Sequence, residues 1–200
     1  MSKYPPAHHQ EAEYTNIIET LKTFPLATLI TVSEGLPVIT HLPLDYKVDD
    51  HLGKLVGHID NNNPQLQQLK LGAKATVLFN GPDTYISPSI YTTTQLPTWN
   101  YIKLHLEVEV SKILNAEELK DAMVELTSFL EGDAQRYILE KENSRMEAFV
   151  NYVTGFELKI TAWEGKFKLS QDKNKKDQIQ AKEALLQNYS LVMPSYLEKI

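Results

Sequence analysis

The chain has 200 residues, 42% hydrophobic and 23% charged, enough for one sizeable core or a barrel with an attached helical part. Twenty basic against 26 acidic residues leave a formal charge of −6, which disfavours a surface that attracts phosphate backbones as a whole and leaves room only for a local basic patch. The absence of cysteine excludes disulfides, thiolate metal sites and cysteine nucleophiles, and suits a reducing cytoplasm.

The first residues, MSKYPPAHHQEAEY, lack the basic then apolar pattern of a secretory signal. No apolar run approaches the roughly 20 residues of a membrane helix. The expectation is a cytoplasmic protein with no membrane partner.

The first organised stretch is Leu26 to Val32, LATLITV, a buried strand that enters a hairpin at Ser33-Glu34-Gly35. Beyond it Leu36, Val38, Thr40, Leu42 and Leu44 share one face of a second strand, with Ile39 and His41 on the other. A polar stretch, Lys47 to Gly53, leads to a third strand, Lys54 to Ile59. Three strands thus precede any long helix. Asn63 then caps a short helix, Pro64 suits its first turn, Gly72 ends it, and Leu66 and Leu69 face inward. Ala75 to Phe79 is a further strand, Asn80-Gly81-Pro82-Asp83 a turn, and Thr92 to Pro97 a loop. Tyr101 to Val110 alternates strictly, with Ile102, Leu104, Leu106, Val108 and Val110 on one side.

At Asn115 the pattern changes to helix, since Glu118 completes a capping box and Leu119, Ala122, Met123, Leu126, Phe129 and Leu130 fall at helical spacing. Helix continues beyond Asp133 through MEAFVNYV, and Gly155 to Trp163 returns to strand. From Asp172 a polar terminal helix follows, with Ile179, Leu185 and Leu186 as its apolar anchors. Six strands with grouped helices predict an α+β class, an antiparallel six-stranded split β-barrel, rather than an alternating Rossmann unit. The expected domain covers residues 1–171, including a helical insertion at 115–153, with 172–200 as a C-terminal helical extension packed on it.

GxSxG, HExxH, a Walker loop and GxGxxG are all missing, and the six histidines have no metal-ligand spacing. No catalytic residue is assigned and no metal is expected. His41 and His58 stand out because each lies among apolar neighbours in a strand. Antiparallel pairing of those strands would bring them together beside the Asn61–Asn63 helix start, whose backbone N–H groups suit a phosphate. The plain alternative is that the asparagines only turn the chain.

The blocks LATLITVSEGLPVITHLPL, LVGHIDNNNPQ, NGPDTYISPSIY, LPTWNY and GFELKITAWEGKFKLSQDK, between Tyr4 and Gln171, resemble in order and spacing the PaiB-like proteins, described as FMN-binding negative transcriptional regulators. That family is similar to split-barrel flavoproteins such as the pyridoxamine phosphate oxidases. The resemblance implies FMN, with Thr40, His41 and Leu42 on one side and His58, Ile59, Asn61, Asn62 and Asn63 toward phosphate and ribityl chain. It also implies that Trp99 and Asn100 reach the flavin, with a homodimer placing the site at a subunit interface. Trp99 reads equally well as a loop anchor, and the late Lys166, Lys168 and Gln171 as solvated residues. Asn61 stands where the family pattern GHxARANP carries arginine, and Ile90 where it carries tryptophan. Exchanging a charge-assisted fork for an amide costs on the order of 1–2 kcal/mol, which weakens FMN binding about tenfold or more. Lys70 or Lys74 is a possible substitute cation. DNA is a partner by the family label, yet neither charge nor a recognition helix supports it. Two alternatives stand beside the regulator: a flavin-dependent oxidoreductase, with His41, His58 and Tyr85 as proton-donor candidates, and a barrel that has lost its flavin and serves as a dimeric interaction module.

Overall fold

The computed structural model of the chain describes residues 6–197, so residues 1–5 and 198–200 of the two expected regions lie outside the described residues. Among the described residues eight strands are found: β1 Gln10–Glu11, β2 Leu26–Ser33, β3 Leu36–Pro43, β4 Asp45–Lys47, β5 Lys54–Asp60, β6 Lys74–Ile86, β7 Thr98–Ile113 and β8 Val153–Lys168. Their order in the sheet is β3-β2-β6-β7-β8-β5-β4, with β1 on β8. The helices are α1 Tyr14–Thr23, α2 Ala116–Glu131, α3 Ser144–Phe149 and α4 Lys175–Leu197. The α+β class and the antiparallel sheet are as expected. The strand count is eight rather than six, because β1 and β4 have two and three residues, too few for alternation to show.

A second correction concerns Asn80–Asp83, which continues β6 instead of turning. The local turn signal loses to cross-strand ties: Lys103 Nζ on β7 donates to Asp83 Oδ2 at 2.7 Å, and Trp99 Nε1 donates to Asp83 Oδ1 at 3.1 Å. β6, β7 and β8 are each shared between two compact units, one comprising 25–78 and 106–163, the other 1–24, 79–105 and 164–200.

In the first of these units β2 and β3 pair antiparallel, Leu29 opposite Thr40 and Thr28 opposite His41. β5 pairs with β4 on one side and with β8 on the other, His58 opposite Gly155. Ala27, Leu29, Leu42, Leu44, Leu55, Val77, Leu106, Val108, Phe156 and Leu158 form the buried interior. The end of β3 packs against β5 at Gly57, where a Cβ would stand 2.5 Å from Leu44 Cδ2 and 3.3 Å from the Pro43 carbonyl. A larger residue there requires the buried Leu44 side chain to shift.

The predicted capping box is present: Asn115 Oδ1 accepts from Glu118 N at 3.0 Å and Glu118 Oε2 from Asn115 N at 3.1 Å. Leu119 then packs with Val150 and Val153, holding the helical insertion on the sheet. The short helix after Asn63 is a 3₁₀ turn, Pro64–Gln68, that ends before Gly72. Leu69 is buried as expected, whereas Leu66 is only half-buried.

The other unit contains α1, which the sequence reading lacks. Its buried face is Ile17, Ile18 and Leu21, but Glu13 at its start makes no side-chain cap, so the usual entry signal is missing. Glu11 substitutes, accepting from Glu13 N at 2.8 Å and from Asn16 Nδ2 at 2.9 Å. α4 begins at Lys175 behind an Asn174 cap whose Oδ1 accepts from Asp177 N at 3.0 Å. Its buried anchors are Asp177, Ala181 and Leu185, four residues apart, while Ile179 and Leu186 are exposed on other faces.

Burial by itself would raise the Asp177 carboxyl, but Thr92 N and Oγ1 donate to it at 2.7 and 2.8 Å, joined by Thr93 and Asn174, and together they hold its pKa below the ordinary value. A pKa depressed in the folded state contributes stability that is complete above the unfolded value and is lost as pH falls through the folded one. Asp177→Asn is therefore expected to lower the melting temperature at pH 7, with the gap to wild type closing below about pH 4. A gap as wide at pH 3 as at pH 7, by scanning calorimetry, rules out a contribution from the charge.

Candidate functional site

β5 carries His58 and Ile59 into a turn of Asp60, Asn61, Asn62 and Asn63. Ile59 and Leu42 are only 4% and 5% exposed, so these two side chains belong to the core and can offer a ligand nothing but backbone. The turn is clamped to β3, since Asn63 Nδ2 donates to Thr40 Oγ1 at 2.9 Å while Asn63 Oδ1 accepts from Gln65 N at 2.9 Å. Thr40 and Asn63, two of the residues that the family resemblance names, are thus hydrogen-bonded to each other. Asn61 is turned toward the start of β8: its Nδ2 donates to the Asn151 carbonyl at 3.0 Å and its Oδ1 accepts from Thr154 Oγ1 at 2.6 Å.

The backbone donors of this turn are already used. Asn61 N donates to Tyr152 O, Asn62 N to Asp60 Oδ1, Asn63 N to Asp60 O and Leu66 N to Asn63 O, and Pro64 has no N–H. Asp60 also places a carboxylate in the turn. An anion here has to be met by side chains rather than by a helix start, a correction to the sequence-based picture. Lys74, one of the two cations considered as a substitute for arginine, is exposed and lines a cavity of about 610 Å³ whose walls include Ile30, Val32, Glu107 and Glu109.

His41 is exposed on β3, its Nδ1 3.0 Å from Thr28 Oγ1. His58 is half-buried on β5, and burial pushes its pKa below the ordinary histidine value, so it is neutral at pH 7. The expected pairing of their strands does not occur, because β3 pairs with β2 and β5 with β4 and β8.

The residue that secures the clamp, and that sequence gave no reason to select, is Gln65. Its side chain has no exposed surface, and Nε2 lies 3.1 Å from Leu29 O, 3.0 Å from Thr31 Oγ1 and 2.9 Å from Val38 O. One amide thereby staples the 3₁₀ turn to both strands of the β2–β3 hairpin. An apolar-period scan passes over a buried glutamine.

Trp99 and Asn100 lie on β7 in the other unit and face opposite sides of the strand. Trp99 is 50% exposed, and its ring centroid is 6.3 Å from that of Tyr85. A cavity of about 470 Å³ runs along this outward row, past Tyr101, Lys103, His105 and Lys166. Burial, with Lys166 nearby, lowers the His105 pKa more than Glu164 raises it. Asn100, on the inward side, is buried against Ser170, so two blocks 70 residues apart, LPTWNY and KLSQ, converge. Lys168 joins them by donating to Thr98 Oγ1 at 2.6 Å.

An antiparallel α+β sheet with a clamped 3₁₀ turn after β5 and a grouped helical insertion is the arrangement of the split-barrel class. The chain belongs to the family described as “Putative FMN-binding domain”, whose pattern matches residues 3–162. It is 28% identical over 184 residues to the protease synthase and sporulation protein PAI 2 of Bacillus subtilis (strain 168), covering 91% of this chain and 88% of that one. Among solved structures, the FAD and heme binding protein from Mycobacterium smegmatis superposes with a TM-score of 0.63 at 20% identity over 86% of this chain and 80% of that one. The flavocytochrome Anf3 from Azotobacter vinelandii superposes with a TM-score of 0.60 at 14% identity over 88% and 77%. These two likenesses establish the fold. No helix among the described residues is long and apolar enough to cross a membrane, and none of their His, Asp and Glu side chains group as a metal site.

Proposed function

We propose that this protein is a homodimeric FMN-binding regulator of the PaiB-like type, with the flavin phosphate at the Asp60–Asn63 turn and the exposed Trp99, rather than its inward-facing neighbour Asn100, acting on flavin held by the partner subunit. The observation that carries the reading is the family match over residues 3–162, joined to the Thr40–Asn63 clamp at the position where the resemblance puts the phosphate. The dimer is supported by the outward row of the β2–β3 hairpin, where Ile30 faces Ile39, Val32 faces Pro37, and Val32 and Ile39 are 66% and 52% exposed. Exposed apolar patches of this kind mark association surfaces. The regulatory part rests on the resemblance to the PaiB-like family and does not invoke direct DNA contact, which the charge of −6 disfavours.

Calorimetric titration with FMN tests the reading. A Kd tighter than about 10 μM, near −7 kcal/mol, is expected, and no heat at several hundred micromolar rejects it. Asn61→Arg restores the charged fork and is expected to tighten FMN binding about tenfold; unchanged affinity places the phosphate elsewhere. Sedimentation equilibrium of the free protein, expected to give a dimer, is rejected by a monomer at tens of micromolar.

A further inference from the structure

The cavity of about 350 Å³ between β7 and the segment after β8 is lined by two donor groups, Lys168 and Asn100, that each carry more hydrogens than they have acceptors among the described residues. Lys168 is its cation. The ammonium carries three hydrogens, its one hydrogen-bond partner among the described residues is Thr98 Oγ1, and no carboxylate of those residues lies within 4.0 Å of it. Asn100 supplies a second donor: it is 1% exposed, its amide nitrogen carries two hydrogens, and its one acceptor among the described residues is Ser170 Oγ at 3.1 Å. Ser170 is itself held by Tyr91, whose hydroxyl is 2.8 Å away, which fixes the position of the Asn100 amide.

The other charges near the cavity largely cancel. Asp172 is paired with Lys173 at 2.7 Å, and burial lowers the His9 pKa, which leaves that ring neutral at pH 7. The net charge presented to a ligand is therefore one positive. Leu96 and Pro97 add apolar surface to the lining of the same cavity. A volume of about 350 Å³ falls at the small end of ligand sites.

We infer that this cavity is a binding site for a small organic monocarboxylate, its carboxylate on Lys168 Nζ and Asn100 Nδ2 and its apolar body against Leu96 and Pro97. One unpaired ammonium matches one negative charge better than a dianionic phosphate, and two neighbouring donors suit the two oxygens of a carboxylate. The inference does not depend on the flavin reading, because none of the turn residues assigned to FMN phosphate takes part in it.

Benzoate is the test ligand, with benzamide as its neutral counterpart and inorganic phosphate as the dianion. Titration of the full chain followed by amide NMR is expected to show saturable benzoate shifts at Lys168, Ser170 and Asn100, and weaker ones by about tenfold or more with the other two. Lys168→Met is expected to weaken benzoate by about tenfold or more, with Lys168→Arg restoring most of it and so separating charge from folding. Equal binding of benzamide, or preference for phosphate, overturns the assignment. In protein saturated with FMN the benzoate affinity is expected to be unchanged. Competition between the two shows that the cavity is part of the flavin site and also overturns it. If FMN fails to bind at all, the benzoate titration still decides the inference on its own.

Discussion

Gln65→Ala is expected to lower the melting temperature by about 6–12 °C, corresponding to about 3 kcal/mol in a chain of this size. The two hydrogens of the amide nitrogen are shared among Leu29 O, Thr31 Oγ1 and Val38 O in a place with no solvent-exposed side-chain surface, so truncation removes them where water cannot easily replace them. Each buried polar group left unsatisfied costs about 1–3 kcal/mol. Gln65 Oε1 is already buried without a partner among the described residues, a cost the native protein carries and the variant removes, which holds the total toward the middle of the range. Gln65→Glu retains the volume but turns oxygen lone pairs toward oxygen acceptors, and is expected to be at least as damaging. A shift under about 2 °C for the alanine variant, measured by thermal denaturation, shows that the amide does not staple the turn to the hairpin.

Gly53→Val is expected to destabilise the fold by about 3 kcal/mol or more, through two independent costs. The glycine has φ +87°, a conformation that a β-branched residue adopts at about 1–3 kcal/mol. The space is also occupied: a Cβ would lie 2.6 Å from the Tyr46 ring and 2.8 Å from the Lys47 carbonyl, and Tyr46, only 6% exposed, has little room to swing away. Overpacking of that kind adds about 1–3 kcal/mol. Because Gly53 O also accepts from Ile160 N at 3.1 Å, movement of the turn pulls on the β5–β8 pairing that carries His58 and the Asn61–Asn63 turn. Urea unfolding reads the effect, and a loss below about 1 kcal/mol shows that the turn relaxes freely.

The elements that were legible in the sequence are those whose signals are local and repeated. Alternation over Tyr101–Val110 is reproduced by burial of Leu104, Leu106, Val108 and Val110, because a long strand buried on one face writes its period into consecutive residues. The Asn115–Glu118 box marks the start of α2 because its two hydrogen bonds join residues three apart. Where the local signal was weak or contrary, the reading failed. α1 has no side-chain cap at its own start, and the turn residues Asn80–Asp83 are held in a strand by Lys103 and Trp99 some 20 residues away.

The candidate sites divide in the same way. Thr40 and Asn63 are both named by the family resemblance and only the structure shows their hydrogen bond, whereas Gln65 lies one residue past the proline of the same motif and gives no periodic or chemical sign of its role. From the sequence Lys168 reads as a solvated residue after a strand, and Ser170 carries no signal at all. Their significance appears only when Asn100 and Thr98 arrive from β7.

By itself, then, the sequence determined the α+β class, the strand and helix segments with strong local periodicity, the family, and the substitution of Asn61 for the arginine of its pattern. The tertiary structure decided the sheet order, the clamp built on Gln65 and Asn63, the engagement of the turn's backbone donors, and the donor-rich cavity around Lys168. The physical reason is range: alternation and capping are interactions between near neighbours in the chain. A buried amide or an unpaired ammonium acquires its meaning from groups 20 to 70 residues distant, whose positions are set by the packing of the whole sheet.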